Sequence, residues 1–188
     1  MPRFVKLILW VALTINLWVL LAHLVINRDA GGQDPFSPVA LLTAALLVLA
    51  PALVFLPIAS FLRAPFYDVE AVLGWATLGF VVVFFKPDSP LSHHQFLAVH
   101  LPLTVALASV TTLIAYAFIR RIRGNADRAG NVLQARRIGY LAALALVTLA
   151  LLSALELLTP FNGTLVVAVA VLTESLAVAS RRTPRRAV

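Results

Sequence analysis

The chain has 188 residues, of which 61% are hydrophobic and only 12% are charged, and its mean hydropathy is +0.95. Soluble domains usually carry about 25% charged residues, so this composition excludes a soluble globular protein and indicates an integral membrane protein. The absence of cysteine excludes disulfides, thiolate metal sites, iron–sulfur clusters and cysteine nucleophiles. The net charge is +7, but the basic residues lie between apolar runs without interleaved aromatic residues, which argues against nucleic-acid binding.

Six apolar runs are each long enough to cross the hydrocarbon core of a bilayer, which takes about 20 helical residues. They cover approximately residues 7–26, 38–62, 69–85, 93–119, 138–158 and 164–180. The sequence therefore predicts an all-α, polytopic integral membrane bundle of six transmembrane helices. We expect these spans to form a single domain over residues 1–188.

The first span follows Arg3 and Lys6 and ends at the polar residues 27–29. A cleaved signal peptide has a shorter apolar region and small residues before its cleavage site. The pattern here favours an uncleaved first span.

The second span has clear start signals and two internal prolines. Ser37 is a typical N-cap, and Pro38 suits the first helical position because its missing N–H would have no helical partner there. Pro51 and Pro57 each remove one backbone hydrogen bond inside the span, so we predict a kinked helix. Such a kink is either structural or part of a gate.

The third and fourth spans differ in length. The third is short and contains Gly74 and Gly79, whose lack of a side chain lets a neighbouring helix approach closely. The fourth begins at about His93 and extends about 40 Å, which is longer than the hydrocarbon core is thick.

A polar segment, residues 120–137, separates the fourth and fifth spans and carries six arginines against a single acid, Asp127. This much positive charge resists translocation, so we predict a cytoplasmic loop that fixes the orientation of the flanking helices. We expect the loop to contact anionic lipid headgroups, or a partner protein. The basic residues expected at the headgroups are Arg120, Arg121, Arg123, Arg136 and Arg137.

After the fifth span, residues 159–163 predict a tight outer turn.

The distribution of basic residues predicts the topology. The predicted inner segments hold 13 of the 15 lysine and arginine residues, and the outer loops hold only Arg28 and Lys86. This bias follows the positive-inside rule. We therefore predict that both termini are cytoplasmic and that the protein lies in the cytoplasmic membrane of a prokaryote.

Polar residues within the spans are the candidates for function, because burying them in lipid costs several kcal/mol unless they are paired. The candidates are Asn16, His23, His100, Glu156 and Glu174. Counted at about 1.5 Å per residue from the inner basic anchors, Asn16 and Glu174 lie in the middle or inner half of the membrane. The two histidines and Glu156 lie near its outer surface.

Three spans carry a stripe of small or polar residues at helical spacing, a surface that typically meets protein rather than lipid. The stripes are Ala12, Asn16, Leu20, His23 and Asn27 in span one, His100, Thr104, Ala108, Thr111 and Ala115 in span four, and Ala170, Glu174 and Ala177 in span six. We predict that all three stripes face the interior of the bundle.

The candidates other than Glu174 have structural as well as functional interpretations. Asn16 suits an interhelical hydrogen bond, the histidines can stay hydrated near the headgroups, and Glu156 can cap the outer turn. Alternatively, His23, His100 and Glu156 converge on a metal, a quinone headgroup or a small polar ligand, and a haem would use the two histidines. The histidine spacing makes a poor zinc motif, so we assign no metal ligands and leave the cofactor open.

Glu174 gives the sharpest functional signal. An acid several residues inside a span is either protonated or paired, and no basic residue lies within a predicted span to pair with it. We therefore predict a proton or cation contact, or a hydrogen bond to another subunit.

Two functional hypotheses remain, and neither is enzymatic, because the sequence has no Gly-rich phosphate loop, G-x-S-x-G or H-E-x-x-H motif. The first is a structural or accessory subunit of a membrane complex. The second is a small-molecule or ion transport or ligand-binding unit that uses Glu174 and the outer cluster of His23, His100 and Glu156. The six-span layout also suits the substrate-binding subunits of vitamin importers.

Overall fold

The computed structural model describes residues 3–85, 93–124 and 128–182. Within these ranges the chain forms helices and no strand. The α-helices are α1 (Arg3–Asn27), α2 (Pro38–Leu62), α3 (Tyr67–Phe84), α4 (His93–Arg123), α5 (Arg128–Ala154) and α6 (Pro160–Arg182), and a short 3-10 helix covers Ala30–Gly32. Each of these six α-helices is long and apolar enough to cross a membrane, which confirms the predicted fold class.

The chain divides into two compact units. Unit 1 is Met1–Ala106 and unit 2 is Leu107–Val188. Unit 1 therefore contains α1, α2, α3 and the first part of α4, and unit 2 contains the remainder of α4 with α5 and α6.

α2 is the central helix of unit 1 and packs against both α1 and α3. Ser37 caps it as predicted, because its hydroxyl oxygen accepts a hydrogen bond from the Ala40 N–H at 3.2 Å and Pro38 takes the first helical position. The buried residues of the contact between α1 and α2 are Leu21, Leu24, Leu46, Leu47 and Ala50. This leucine-rich contact is one part of the core of the unit, and Val83 and Phe84 of α3 pack against it.

Trp10 connects α1 to α2 through a polar contact on the same side as the leucines. Its Nε1–H donates a hydrogen bond to Leu53 O at 2.9 Å. In a regular helix Leu53 O would accept from the N–H four residues later, but Pro57 occupies that position and has no N–H. The indole therefore satisfies a carbonyl that the internal proline leaves without a helical partner.

Both glycines of α3 make the close helix contacts predicted for them. A Cβ at Gly79 would lie 2.5 Å from Leu47 Cδ2 of α2. A Cβ at Gly74 would lie 2.9 Å from the backbone nitrogen of Ala106 in α4. A larger residue at Gly74 would push α3 away from the backbone of α4, whereas at Gly79 the end of the Leu47 side chain would have to shift.

A similar contact joins α4 and α5 in unit 2. A Cβ at Gly139 would lie 2.6 Å from the backbone nitrogen of Thr112, so the two helices come this close only because residue 139 is glycine. The Thr111 hydroxyl, on α4, lies 2.8 Å from Gly139 O and donates across the gap.

The polar segment 120–137 is not the long loop predicted. α4 continues to Arg123 and ends at Gly124, which has a φ of +70°, and α5 already begins at Arg128. The prediction is wrong because the end of an apolar run is not the end of a helix, and arginine, glutamine, leucine and alanine are all good helix formers. Arg136 and Arg137 consequently lie on α5, more than two turns from its start.

The connection between α5 and α6 also differs from the prediction. α5 ends at Ala154, and α6 begins at Pro160 rather than at residue 164. The Thr159 hydroxyl accepts a hydrogen bond from the Asn162 N–H at 3.2 Å. Thr159 and Pro160 therefore repeat the N-cap and first-turn proline that begin α2, and the turn predicted at residues 159–163 is wrong for that reason.

Candidate functional site

Arg137 of α5 and Glu174 of α6 form an ion pair within unit 2. Arg137 Nε donates to Glu174 Oε2 at 2.7 Å, and Arg137 Nη2 donates to Glu174 Oε1 at 2.6 Å. These two parallel bonds are the bidentate geometry in which a guanidinium binds a carboxylate most strongly. The side chains are only 23% and 22% exposed, so each charge is satisfied mainly by the other.

The expectation that Glu174 has no basic residue to pair with is wrong. The predicted fifth span begins one residue after Arg137, whereas α5 begins nine residues before it. Arg137 therefore belongs to a helix that packs along α6 and not to a loop. Its guanidinium, expected at the lipid headgroups, is engaged by Glu174.

Contacts at the end of α4 position the first turns of α5. Arg123 Nη1 donates to Gln134 Oε1 at 2.5 Å. The buried Asn131 donates through Nδ2 to Gly124 O at 3.2 Å, which satisfies one of the carbonyls left open where α4 ends. These bonds, together with the close contact at Gly139, hold α5 in the rotation that directs Arg137 towards α6.

An apolar groove of about 420 Å³ lies between α5 and α6 beside the ion pair. Its walls include Leu141, one turn after Arg137, and Ala170, one turn before Glu174. The hydroxyl of Thr173, which also lines the groove, already donates to a carbonyl of its own helix. The groove therefore offers almost wholly apolar surface.

The stripe on α1 does not face the interior of unit 1, contrary to the prediction. Its members, Ala12, Asn16, Leu20, His23 and Asn27, are all exposed. α1 instead packs on α2 through Leu17, Leu21 and Leu24. At about 100° per residue, the centre of the leucine face lies about 105° around the helix from the centre of the stripe. The prediction is wrong because α1 also carries a leucine face, and this is the face that interlocks with the leucines of α2.

The stripes on α4 and α6 do meet other parts of the chain. On α4, Ala108 is buried and Thr104 and Thr111 are half-buried. On α6, Ala170 and Glu174 are half-buried, as is Ala177, the remaining member of that stripe. The α4 stripe therefore packs within the chain, whereas the α6 stripe is only partly covered.

The polar side chains of the α1 stripe are only partly satisfied. Asn16 Nδ2 donates to Ala12 O at 2.7 Å, and His23 Nδ1 lies 3.0 Å from Asn27 Nδ2. Asn16 and His23 make no other hydrogen bond to the part of the chain that the structure describes. Asn16 thus keeps its Oδ1 and one N–H available, and His23 keeps its Nε2 available.

His100 and Glu156 occupy different settings. His100 is half-buried on α4 in unit 1, and its backbone carbonyl accepts a hydrogen bond from the Thr104 hydroxyl at 2.8 Å. Glu156 lies outside α5, exposed in the connection to α6 with a φ of +57°, so its predicted place within a span is wrong because α5 ends at Ala154. Among the described residues, no group of three or more histidines or acids could hold a metal ion.

Comparison with known proteins adds no family. No protein-family model, curated protein or solved structure matches the chain. The function must therefore follow from two features of the molecule itself: an ion pair satisfied within unit 2, and a partly satisfied polar stripe exposed on α1.

Proposed function

We propose that the protein is a non-enzymatic structural or accessory subunit of a membrane complex. The observation that carries this proposal is the exposed polar stripe on α1, a helix long and apolar enough to span a bilayer. Lipid chains offer no hydrogen-bond partner, so polar groups such as those of Asn16 and His23 are stabilised when they face protein. α1 thus presents a surface that suits another transmembrane helix.

The two terminal helices leave most of their surface for such contacts. In the most apolar stretch of each helix, 6% of the residues of α1 and none of those of α6 are buried within the described structure, against 39% for α2. α2 therefore builds the core of its unit, whereas α1 and α6 contact lipid and neighbouring subunits.

The proposal includes an orientation, with both termini in the cytoplasm of a prokaryotic cell, which the positive-inside distribution supports. The basic ends of α4 and α5 then face the anionic inner leaflet. The residues at these helix ends that contact the headgroups are Arg120, Arg121, Arg123 and Arg136.

Because the chain has no natural cysteine, single introduced cysteines can test this orientation. Gln33→Cys, between α1 and α2, should react with a membrane-impermeant thiol reagent in intact cells. Gly124→Cys, at the end of α4, should react only after lysis. The reverse pattern would overturn the orientation.

Native mass spectrometry of the protein, extracted from its own membrane in a mild detergent, tests the accessory role. The expected result is a complex that contains other chains. A protein found alone, or with only a bound small molecule, would contradict the proposal.

A second candidate function is proton or ion transport through unit 2. The observation that favours it is the pair of Arg137 and Glu174, because intramembrane ion pairs often line ion and proton pathways. In vesicles that contain the purified protein and a pH-sensitive dye, a proton flux that Glu174→Gln abolishes without unfolding the protein would support this function. Vesicles without any such flux would count against it.

A further inference from the structure

We infer that the stripe on α1 is a self-association surface, through which two copies of this chain meet in the membrane. The inference rests on the proposed function, because it names the partner that covers this part of the subunit. The stripe consists of Ala12, Asn16, Leu20, His23 and Asn27, all of which are exposed.

The depth of Asn16 favours a protein partner. Asn16 is the fourteenth of the 25 residues of α1. At about 1.5 Å per residue it lies more than about 15 Å from either end of the helix, where the bilayer holds no water. An open carboxamide at this depth is stabilised when a second polar group enters the same plane of the membrane.

The hydrogen-bonding groups of the stripe complement themselves. A carboxamide has two N–H donors and an oxygen acceptor, and Asn16 uses only one donor, on Ala12 O. Its remaining N–H and its Oδ1 match the same pair of atoms on a second Asn16. His23 contributes only its Nε2 to this surface, because its Nδ1 already lies 3.0 Å from Asn27 Nδ2.

The topology of the chain brings these self-complementary groups to the same depth. Two copies inserted by the same basic segments have the same orientation, so their α1 helices meet in parallel. A two-fold axis along the membrane normal then sets each residue beside its own counterpart. Asn16 therefore meets Asn16 without any further polar residue being required.

Self-association does not compete with the fold of unit 1. The leucines of α1 that pack on α2 are centred about 105° around the helix from the centre of the stripe. The small Ala12 lets a second helix approach the stripe closely, and the longer Leu20 fills the space one turn beyond Asn16. α1 can thus contact α2 through its leucine face and a second copy through the stripe.

Disulfide crosslinking at single cysteines in native membranes tests the inference, since no other cysteine interferes. Ala12→Cys places a thiol on the stripe, and Val11→Cys places one on an exposed position about 100° away at nearly the same depth. Oxidation should join Ala12→Cys into a dimer of twice the chain mass, at least about 5-fold more than Val11→Cys. Leu20→Cys, further along the stripe, should repeat the result of Ala12→Cys.

Adding Asn16→Leu to Ala12→Cys should reduce the dimer about 5-fold, which corresponds to about 1 kcal/mol. Because Asn16 is exposed, this change should leave the melting of the monomer in detergent unaltered. Persistence of the dimer after Asn16→Leu would overturn the role of the carboxamide.

The failure of this inference can be distinguished from that of the proposed function. A disulfide from Ala12→Cys to a chain of different mass would overturn self-association and leave the accessory role intact. Equal crosslinking of Ala12→Cys and Val11→Cys would overturn self-association, and native mass spectrometry would then decide the accessory role separately. A protein that neither crosslinks nor carries other chains would overturn both.

Discussion

α1 and α6 are both apolar helices with a polar side chain well inside them, yet the two side chains are satisfied in different ways. Glu174 of α6 binds Arg137 of the neighbouring helix through two hydrogen bonds. Asn16 of α1 is exposed and bonds only to Ala12 O of its own helix. A polar residue in a span can thus stabilise the fold of its own chain or mark the surface where another chain binds. The face of the helix that meets a neighbour decides between these roles.

Gly139→Ala should have the largest effect on the free energy of unfolding. It should also disrupt the ion pair between Arg137 and Glu174. The new Cβ would lie 2.6 Å from the backbone nitrogen of Thr112, so α5 must move away from α4 and carry Arg137 with it. We expect a loss of about 3 kcal/mol in the free energy of unfolding, measured by denaturant titration in mixed micelles.

Gly163→Ala is the matched control for Gly139→Ala. A Cβ at Gly163 would lie 3.7 Å from Leu158 Cδ1, which is ordinary contact. This variant should be neutral or slightly more stable, because alanine favours a helix by about 1 kcal/mol over glycine. Equal destabilisation by both alanines would contradict the role given to the contact between Gly139 and Thr112.

Glu174→Leu should destabilise unit 2 by about 2 kcal/mol, because it leaves the Arg137 guanidinium without its carboxylate. The double variant Arg137→Leu with Glu174→Leu should recover at least half of this loss, since removing both charges leaves neither unpaired. Unfolding in the same micelles measures both effects. Additive losses in the double variant would show that the two side chains act independently.

Trp10→Phe should cost about 1 kcal/mol, because it leaves Leu53 O without a donor. The same change in a Pro57→Ala background should cost much less, since residue 57 would then supply the helical N–H that proline lacks. Thermal unfolding in detergent of the four proteins in this cycle gives the coupling. The explanation fails if the cost of Trp10→Phe is the same in both backgrounds.

The smallest effect on the fold should come from Asn16→Leu, which should change the unfolding of the monomer by less than about 0.5 kcal/mol. The reason is that Asn16 is exposed and makes no hydrogen bond to another helix among the described residues. If this change were as costly as Glu174→Leu, then Asn16 would belong to the interior of the chain, and the contrast between α1 and α6 would disappear.

Part of this architecture could be predicted from local sequence. The Ser37 cap, the first-turn Pro38 and the close contacts at Gly74 and Gly79 were all predictable, because each depends on the shape of one residue and its immediate neighbours. The start of α6 at Pro160 carried the same signal as that of α2, so a consistent use of capping rules would have located it.

The pairing of Glu174 could not be predicted in the same way. Hydropathy reports where a chain leaves the apolar phase, and it placed Arg137 outside the fifth span. Helix formation depends instead on backbone hydrogen bonds, which continue from Arg128 through this polar region. Arg137 therefore reaches α6 from a part of the chain that hydropathy assigns to a loop.

The sequence by itself determined that the chain forms six helices able to cross a membrane, because the thickness of the bilayer and the cost of unpaired backbone groups leave an apolar chain few alternatives. Only the tertiary structure decided how each helix is rotated about its axis. Rotation depends on which side chains interlock across a contact, and a single helix with two suitable faces does not contain that information. This is why Glu174 lies against Arg137 while the polar stripe of α1 is exposed.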